Sequence, residues 1–221
     1  MTPSSPAGGD LGRKILECSR FMRSTFAQIQ GLLNAVDSAM DDLGFESAIG
    51  AEVKLDDLRR NINAPQAWLQ ATLGRPYWPR LTNRNSSAPT SELAVIEVHL
   101  LPSCDAEHAL LVAAHVQFPK PMALHEVKTV YNSGPWMEGT LKGVYPMAAE
   151  RTLQPGLHPE WFKNEGTLQV AAWPLVSIES ELAVRTTVVG KLRKWRDSPE
   201  HRGTLGTAHE GEPAEALSKS R

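Results

Sequence analysis

The chain has 221 residues, 22% charged and 41% hydrophobic, with a formal net charge of -2. That length predicts one domain, or one plus a small appendage, and the near-neutral charge speaks against a protein that coats nucleic acid by bulk electrostatics. No apolar run approaches the ~18–20 residues of a membrane span. No basic–apolar–small leader opens the chain, and two cysteines, Cys18 and Cys104, are too few for a disulfide scaffold. A cytoplasmic protein with reduced thiols is the expectation.

The first element is the strongest. Ile15, Met22, Phe26, Ile29, Leu33, Val36, Met40 and Leu43 recur at seven, then alternating four and three residues. At 3.6 residues per turn those steps return to one helical face. Arg20, Arg23, Asn34, Asp37 and Asp41 fall off the stripe, Asp10 is an N-cap candidate and Gly44 a stop. A helix over 11–43 is about 50 Å long, too long for one small sheet to cover, so part of it is expected to pair with another helix. Gly31 costs ~1 kcal/mol within it and suggests a close approach.

Two shorter helical patterns follow, one with Leu55, Leu58 and Ile62 on a face, the other from Pro65 to Leu73 with Gly74 as its cap. Residues 75–80 (RPYWPR) carry two prolines that keep them out of a helix, and 82–91 (TNRNSSAPTS) read as a polar linker.

The period then changes to two. Residues 93–101 (LAVIEVHLL) alternate Ala94, Ile96, Val98 and Leu100 with Glu97 and His99. Residues 109–118 (ALLVAAHVQF) alternate Leu110, Val112, Ala114, Val116 and Phe118 with His115 and Gln117. An antiparallel hairpin is predicted. Weaker strands are expected at 123–131 and 140–145, and a firm one at 167–176, where Pro174 marks an edge or an end. For 179–196 the helical reading is preferred: Ser177 or Ser180 caps it, cations gather at its end, and Val184, Val188, Leu192 and Trp195 share a face.

The predicted class is therefore α+β: a long N-terminal helix and short helices on a four- or five-stranded, mainly antiparallel sheet, closed by a C-terminal helix. The corresponding regions are a disordered 1–10, a helical 11–81, a linker 82–92, a sheet with C-terminal helix over 93–196, and a disordered tail 197–221. One sheet face is expected to be apolar and the other semi-polar.

Five side chains are candidates for chemistry. Glu97, His99, His115 and Gln117 share a parity, so an antiparallel register whose paired numbers sum to an even value sets them on one side of the sheet. Two imidazoles and a carboxylate there are suited to a divalent metal or a shared proton; a wet sheet face alternates in the same way without any site. Glu126-Val127-Lys128, with Asp105 upstream, resembles the acidic–(acidic)-x-Lys arrangement of a broad nuclease superfamily, in which carboxylates hold Mg²⁺ and the lysine assists the attacking water. Asp105 sits in a predicted turn, a departure from that pattern, and Glu52-Val53-Lys54 repeats the triplet. Cys104 beside His99 or His108 lacks the surroundings of a nucleophile. No Cys-x-x-Cys, Gly-x-Gly-x-x-Gly, Gly-x-x-x-x-Gly-Lys-Ser/Thr or Gly-x-Ser-x-Gly occurs.

Tryptophan is over-represented: six Trp stand beside three Tyr and five Phe. Trp78, Trp136 and Trp161 lie in Pro- or Gly-bearing segments, where aromatics serve as partner anchors or as plugs onto the core. Lys191, Arg193, Lys194 and Arg196 surround Trp195 and are suited to phosphate or nucleic acid, with Arg75, Arg80 and Arg84 adding to that surface; a helix C-terminus that favours cations explains them equally.

The leading expectation is a non-enzymatic binding or accessory protein without a cofactor, metal or membrane. It meets a protein partner or a second copy through Met22, Phe26, Ile29, Leu33, Val36 and the three loop tryptophans. The alternatives are a metal-dependent hydrolase or nuclease using Glu97, His99, His115, Glu126 and Lys128, and a small-molecule sensor using the sheet face and Trp173.

Overall fold

The structure is a computed structural model and describes residues 7–55, 72–80, 88–100, 106–132, 150–153 and 167–198. Helix α1 spans Ala7–Asp42, 36 residues or about 54 Å. Strands β1 (Phe45–Ser47), β2 (Lys54–Leu55), β3 (Thr72–Pro79), β4 (Pro89–His99) and β5 (Leu110–Ala123) follow. Then come α2 (Leu124–Asn132), β6 (Glu150–Leu153), β7 (Thr167–Pro174), and a 3-10 turn at Leu175–Ser177. One continuous C-terminal helix ends the described chain: α3 (Glu181–Ala183), a π-helical segment Val184–Val189, and α4 (Gly190–Arg196). The class is α+β. The seven strands form one antiparallel sheet in the order β1-β3-β4-β5-β7-β6, with β2 also on β3.

Both faces of this sheet are buried. On one side Ala94, Ile96, Val98, Leu111, Ala113 and Ala171 meet the α1 stripe (Ile29, Leu33, Val36, Met40, Leu43) and the C-terminal helix through Val184, Val188, Leu192 and Trp195. On the other, Leu93, Val95, Leu110, Val112, Ala114 and Val116 meet Val127 and Tyr131 of α2. The expected semi-polar face does not exist. The reason is register: Ala94 pairs with His115 and His99 with Leu110, so the paired numbers sum to an odd value. A one-residue offset turns every side chain of a strand over, and the apolar sets of β4 and β5 therefore point to opposite faces.

Two further expectations are corrected. Residues 124–132 form helix α2, not a strand: Leu124, Val127 and Tyr131, spaced three and four apart, are all buried, and the Glu126 carboxylate accepts from the Ala123 amide at 3.0 Å, half of a capping box. Residues 72–79 form β3 inside the stretch read as helical, so Gly74 caps nothing and the sheet begins before the 82–92 segment, whose end belongs to β4. Pro76 fits in β3 because it lies between the two short partners β1 and β2. The Pro76 carbonyl accepts from the Ala48 amide on that side, so the missing N–H faces the gap between them. The helix also starts at Ala7, within the segment read as disordered, and Asp10 sits in its first turn, paired with Arg13 and Lys14. A Cβ at Gly31 would meet nothing within 4 Å, so no close approach requires that glycine. Of the expected second helix (Leu55, Leu58, Ile62), Leu55 lies in strand β2, paired with Leu73; Leu58, Ile62 and the 140–145 strand lie outside the described residues.

The C-terminal helix reading holds. Ser180 caps it by accepting from the Ala183 amide at 3.1 Å, and its cations work at the far end: the Arg196 guanidinium donates to the Leu43 carbonyl at 2.6 Å, closing the α1 C-terminus. Gly44, at φ +85°, ends α1 in the left-handed conformation that favours glycine.

What sets α1 on the sheet is charge as well as apolar contact. The Arg75 side chain, 5% exposed, donates through Nε and Nη2 to the Asp37 carboxylate at 3.0 and 2.9 Å, to the Gly50 carbonyl at 2.8 Å and to the Glu52 carbonyl. The Tyr77 hydroxyl donates to the same Asp37 at 2.6 Å. At roughly 1.5–3 kcal/mol for each large buried side chain, the stripe outweighs this clamp in total; the clamp selects where along α1 the sheet attaches.

Asp37→Ala is expected to lower the unfolding free energy by about 2–4 kcal/mol. That is somewhat less than a fully buried pair loses, because the Asp37 side chain is 37% exposed. Asp41→Ala, which breaks the exposed pair with Arg80, is expected to cost under about 1 kcal/mol. Urea unfolding compares the two, and equal losses would refute Arg75 as the anchor.

Candidate functional site

The five residues expected to share a catalytic face are not brought together. Glu97 and His99 lie on the α2 side of the sheet, where His99 Nε2 donates to Glu97 Oε2 at 3.0 Å; Thr72 Oγ1 stands 3.5 Å from Nδ1. His115 lies on the α1 side, where its Nε2 donates to Glu92 Oε2 at 2.8 Å. Gln169 pairs with His115 across β5 and β7. Glu126 caps α2, and Lys128 stands 5.2 Å from the centre of the Trp78 ring. No group of three or more His, Cys, Asp and Glu gathers among the described residues. The odd register thus makes two His–Glu pairs on opposite faces. In each, a buried imidazole is hydrogen-bonded to a carboxylate; His115 and Glu92 join β5 to β4, whereas Glu97 and His99 are neighbours along β4.

The Glu97–His99 pair belongs to a tight buried cluster. A Cβ at Gly74, directly opposite Glu97 in the β3–β4 pairing, would fall 2.3 Å from Tyr131 Oη and 3.2 Å from Glu97 Cγ. Glycine is required there by close approach. Lys54 covers the far side, with Nζ 2.5 Å from the Tyr131 carbonyl and 4.6 Å from its ring centre. Burial, then the nearby Glu97 charge, holds the Tyr131 phenol well above its ordinary range. Burial and the hydrogen bond to Asp37 do the same to Tyr77 on the opposite face.

The partner residues expected from sequence also divide. Ile29, Leu33 and Val36 are core; Met22 and Phe26 are half-buried; Trp78 is 7% exposed in a small cluster with Ala48, Ala88 and Leu124. Trp136, Trp161, Cys104, Asp105 and Arg84 lie outside the described residues. Trp173 packs against the α1-side core, not on an open face. Of the basic group, Trp195 is buried, Lys191 stands over its ring, Arg196 is committed to Leu43 and Asp197, and Arg193 and Lys194 are exposed. Arg75 is buried and Arg80 is paired with Asp41, so neither extends a basic surface.

What remains open is the first half of α1. Its apolar stripe is buried from Ile29 onward. Before that point Leu11, Ile15, Leu16 and Phe21 are exposed, Phe21 at 69%, and no described residue covers them. Beside it runs a groove of about 820 Å³ between α1 (Phe21, Thr25, Ile29) and the segment after β7 (Leu175, Ile178, Val184). Exposed Val176 and Leu182 stand nearby in sequence. The first half of α1 thus sets exposed apolar side chains beside an apolar groove. The length of the helix signalled it in the sequence; the stripe was read from Ile15 onward, so Leu11 before it and Leu16 and Phe21 beside it were missed. Among known proteins, no family model, no curated sequence and no solved structure matches this chain.

Gly74→Ala is expected to destabilise by about 1–3 kcal/mol through overpacking, and Tyr131→Phe in the same chain to recover part of that loss. Equal melting of the single and double variants would refute the contact. The two raised phenols add a pH signature. A group whose folded pKa is raised stabilises fully below its ordinary value, here 10.0, and loses that contribution as pH rises through the folded value. In Tyr145→Phe, tyrosinate absorbance is therefore expected to appear only together with alkaline unfolding followed by near-ultraviolet circular dichroism. Ionisation ahead of unfolding would contradict it.

Proposed function

We propose that the chain is a non-enzymatic binding protein that associates with another protein through the first half of α1. The observation that carries this reading is the change in burial along one helix. Ile29, Leu33, Val36 and Met40 are covered by the sheet, whereas Leu11, Ile15, Leu16 and Phe21, on the same helix, are not covered by any described residue. Four large apolar side chains exposed on one helix are suited to burial against a partner, since each contributes roughly 1.5–3 kcal/mol once removed from water. The scattered Glu and His candidates, each engaged in the fold, favour this over the hydrolase or nuclease alternative.

The test places a benzophenone amino acid at Leu11 in cells that make the protein and irradiates them. Adducts of defined mass are expected, and they are expected to vanish in Ile15→Glu/Phe21→Asp while the melting temperature stays within a few degrees. If irradiation yields no adduct of any mass, or if adducts persist unchanged in the double variant, the reading fails.

A further inference from the structure

Resting on that reading, we propose that the partner is a protein with an acidic border: its carboxylates pair with Arg20 and Arg23 of α1 while an apolar strip beside them covers Leu11, Ile15 and Met22. The argument begins with how α1 is held where it is covered. Between Ser24 and Asp42 the helix has three aspartates and no lysine or arginine. Each aspartate meets an arginine of the body: Asp37 with Arg75, Asp41 with Arg80, and Asp42 with Arg185. The surface that covers this half therefore matches the apolar stripe and the flanking charges together.

The uncovered half inverts the sign. From Ala7 to Arg23 it carries Arg13, Lys14, Arg20 and Arg23 against Asp10 and Glu17. Asp10 is already held by Arg13 and Lys14. Arg20 and Arg23 are exposed, and no hydrogen bond or ion pair engages them among the described residues. Arg13, the exposed Leu16, Arg20 and Arg23 step by three, four and three residues, so they form one stripe along the helix. It runs beside Leu11, Ile15 and Met22, with Gly12 and Ser19 between the two. A surface lying over Gly12 and Ser19 touches apolar side chains on one side and guanidinium groups on the other. The planar fork of arginine suits a carboxylate, which it takes by two parallel bonds.

The opposite border of the apolar face favours a protein over an anionic bilayer. Phe21 stands there, and beyond it lies the groove, whose charged lining is Glu179 and Glu181, the latter shared with Arg185. Lys14, on that side, is held by Asp10. A bilayer of anionic lipid is a uniform plane that meets both borders and brings its phosphates toward those carboxylates. A protein surface can be acidic along one edge alone, as this lopsided helix requires.

The test uses the full-length protein. A labelled helical peptide with leucine along one face and glutamate on its borders is titrated by fluorescence anisotropy, beside the same peptide with lysine in place of glutamate. The glutamate peptide is expected to bind about tenfold more tightly, and to lose most of that advantage at high salt. Arg20→Gln/Arg23→Gln is expected to weaken its binding about tenfold, and Arg20→Glu/Arg23→Glu to reverse the preference, with the circular dichroism spectrum unchanged. Glu17→Gln, away from the apolar face, is expected not to weaken it. Failure of the glutamate peptide to bind more tightly than the lysine peptide overturns the proposal, as does unchanged affinity in both arginine variants. In cells, a benzophenone at Ser19 is expected to join peptides rich in aspartate and glutamate, and these adducts to vanish in Arg20→Glu/Arg23→Glu. Transfer of the label to lipid, with binding to vesicles of phosphatidylserine and phosphatidylcholine, would replace the acidic protein by a bilayer. Protein adducts that depend on Ile15 and Phe21 but not on Arg20 and Arg23 would remove the acidic border and leave the binding reading standing; absence of any adduct would remove both.

Discussion

A buried guanidinium cannot go unpaired, and the arrangement of this protein follows from how Arg75 is satisfied. Its donors reach a carboxylate on α1 and two carbonyls of the segment between β1 and β2, so three parts of the chain separated in sequence must meet at one point. The apolar stripe alone does not fix that point. A helix whose face repeats every three or four residues can slide by one turn on a sheet and still bury Leu, Val or Met. Asp37 reaches Arg75 and Asp41, one turn on, reaches Arg80, so the two pairs together select one position. Pinning Asp37 to β3 fixes how far α1 extends past the sheet, and the exposed half of the helix is a consequence of a charge pair near its other end.

Covering both faces imposes a second constraint, on polar groups. Glu97, His99, His115, Gln169 and Arg75 are all buried in a two-sided sheet, where an unsatisfied polar atom costs ~1–3 kcal/mol. The fold answers with short local pairs, Glu97 to His99 on one side and Glu92 to His115 on the other. Of these, Glu92 and His115 tie β4 to β5, and Glu97 and His99 satisfy each other along β4. Gly74 shows how closely this interior is filled: its missing side chain is the space that the Tyr131 hydroxyl and Glu97 occupy.

The sequence made the long elements legible for a physical reason. The face of α1 below Ile29, the strands β4, β5 and β7, and the Val184–Val188–Leu192–Trp195 face each repeat a period often enough to exclude the alternative. Parity between β4 and β5 was not legible, because alternation within a strand says nothing about which face its neighbour's apolar set takes; only pairing decides that. Helix α2 was obscured by Val127, Thr129 and Val130, whose branched side chains favour strands, although Leu124, Val127 and Tyr131 already carried a helical spacing. Strand β3 was obscured by two prolines, tolerated because its outer edge is divided between two short partners. For the candidate surface, the excess length of α1 was readable, whereas the fate of Trp78 was not: a tryptophan beside a proline looks the same whether it faces a partner or, as here, Leu124 and Lys128.

The projecting half of α1 is also the part of the helix least able to hold itself together. Most helical stability in proteins comes from packing an apolar face, and isolated helices of this length are marginal in water. Ser19 and Thr25 turn their hydroxyls back onto the carbonyls of Ile15 and Phe21 at 2.8 and 3.1 Å, a local bond that competes with the helical ladder, and Gly12 adds about 1 kcal/mol of backbone entropy cost. Against this stand only the exposed pairs from Asp10 to Arg13 and Lys14, which water and salt screen. Hydrogen bonds to Lys14 and then Arg13 hold the Asp10 carboxyl below its usual 3.8, so these pairs persist at neutral pH and fade only as pH falls through that lowered value. Such terms do not balance the cost of leaving Leu11, Ile15 and Phe21 in water. Contact along the stripe would supply the missing packing, so that order in this half of the helix and association through it are two sides of one equilibrium.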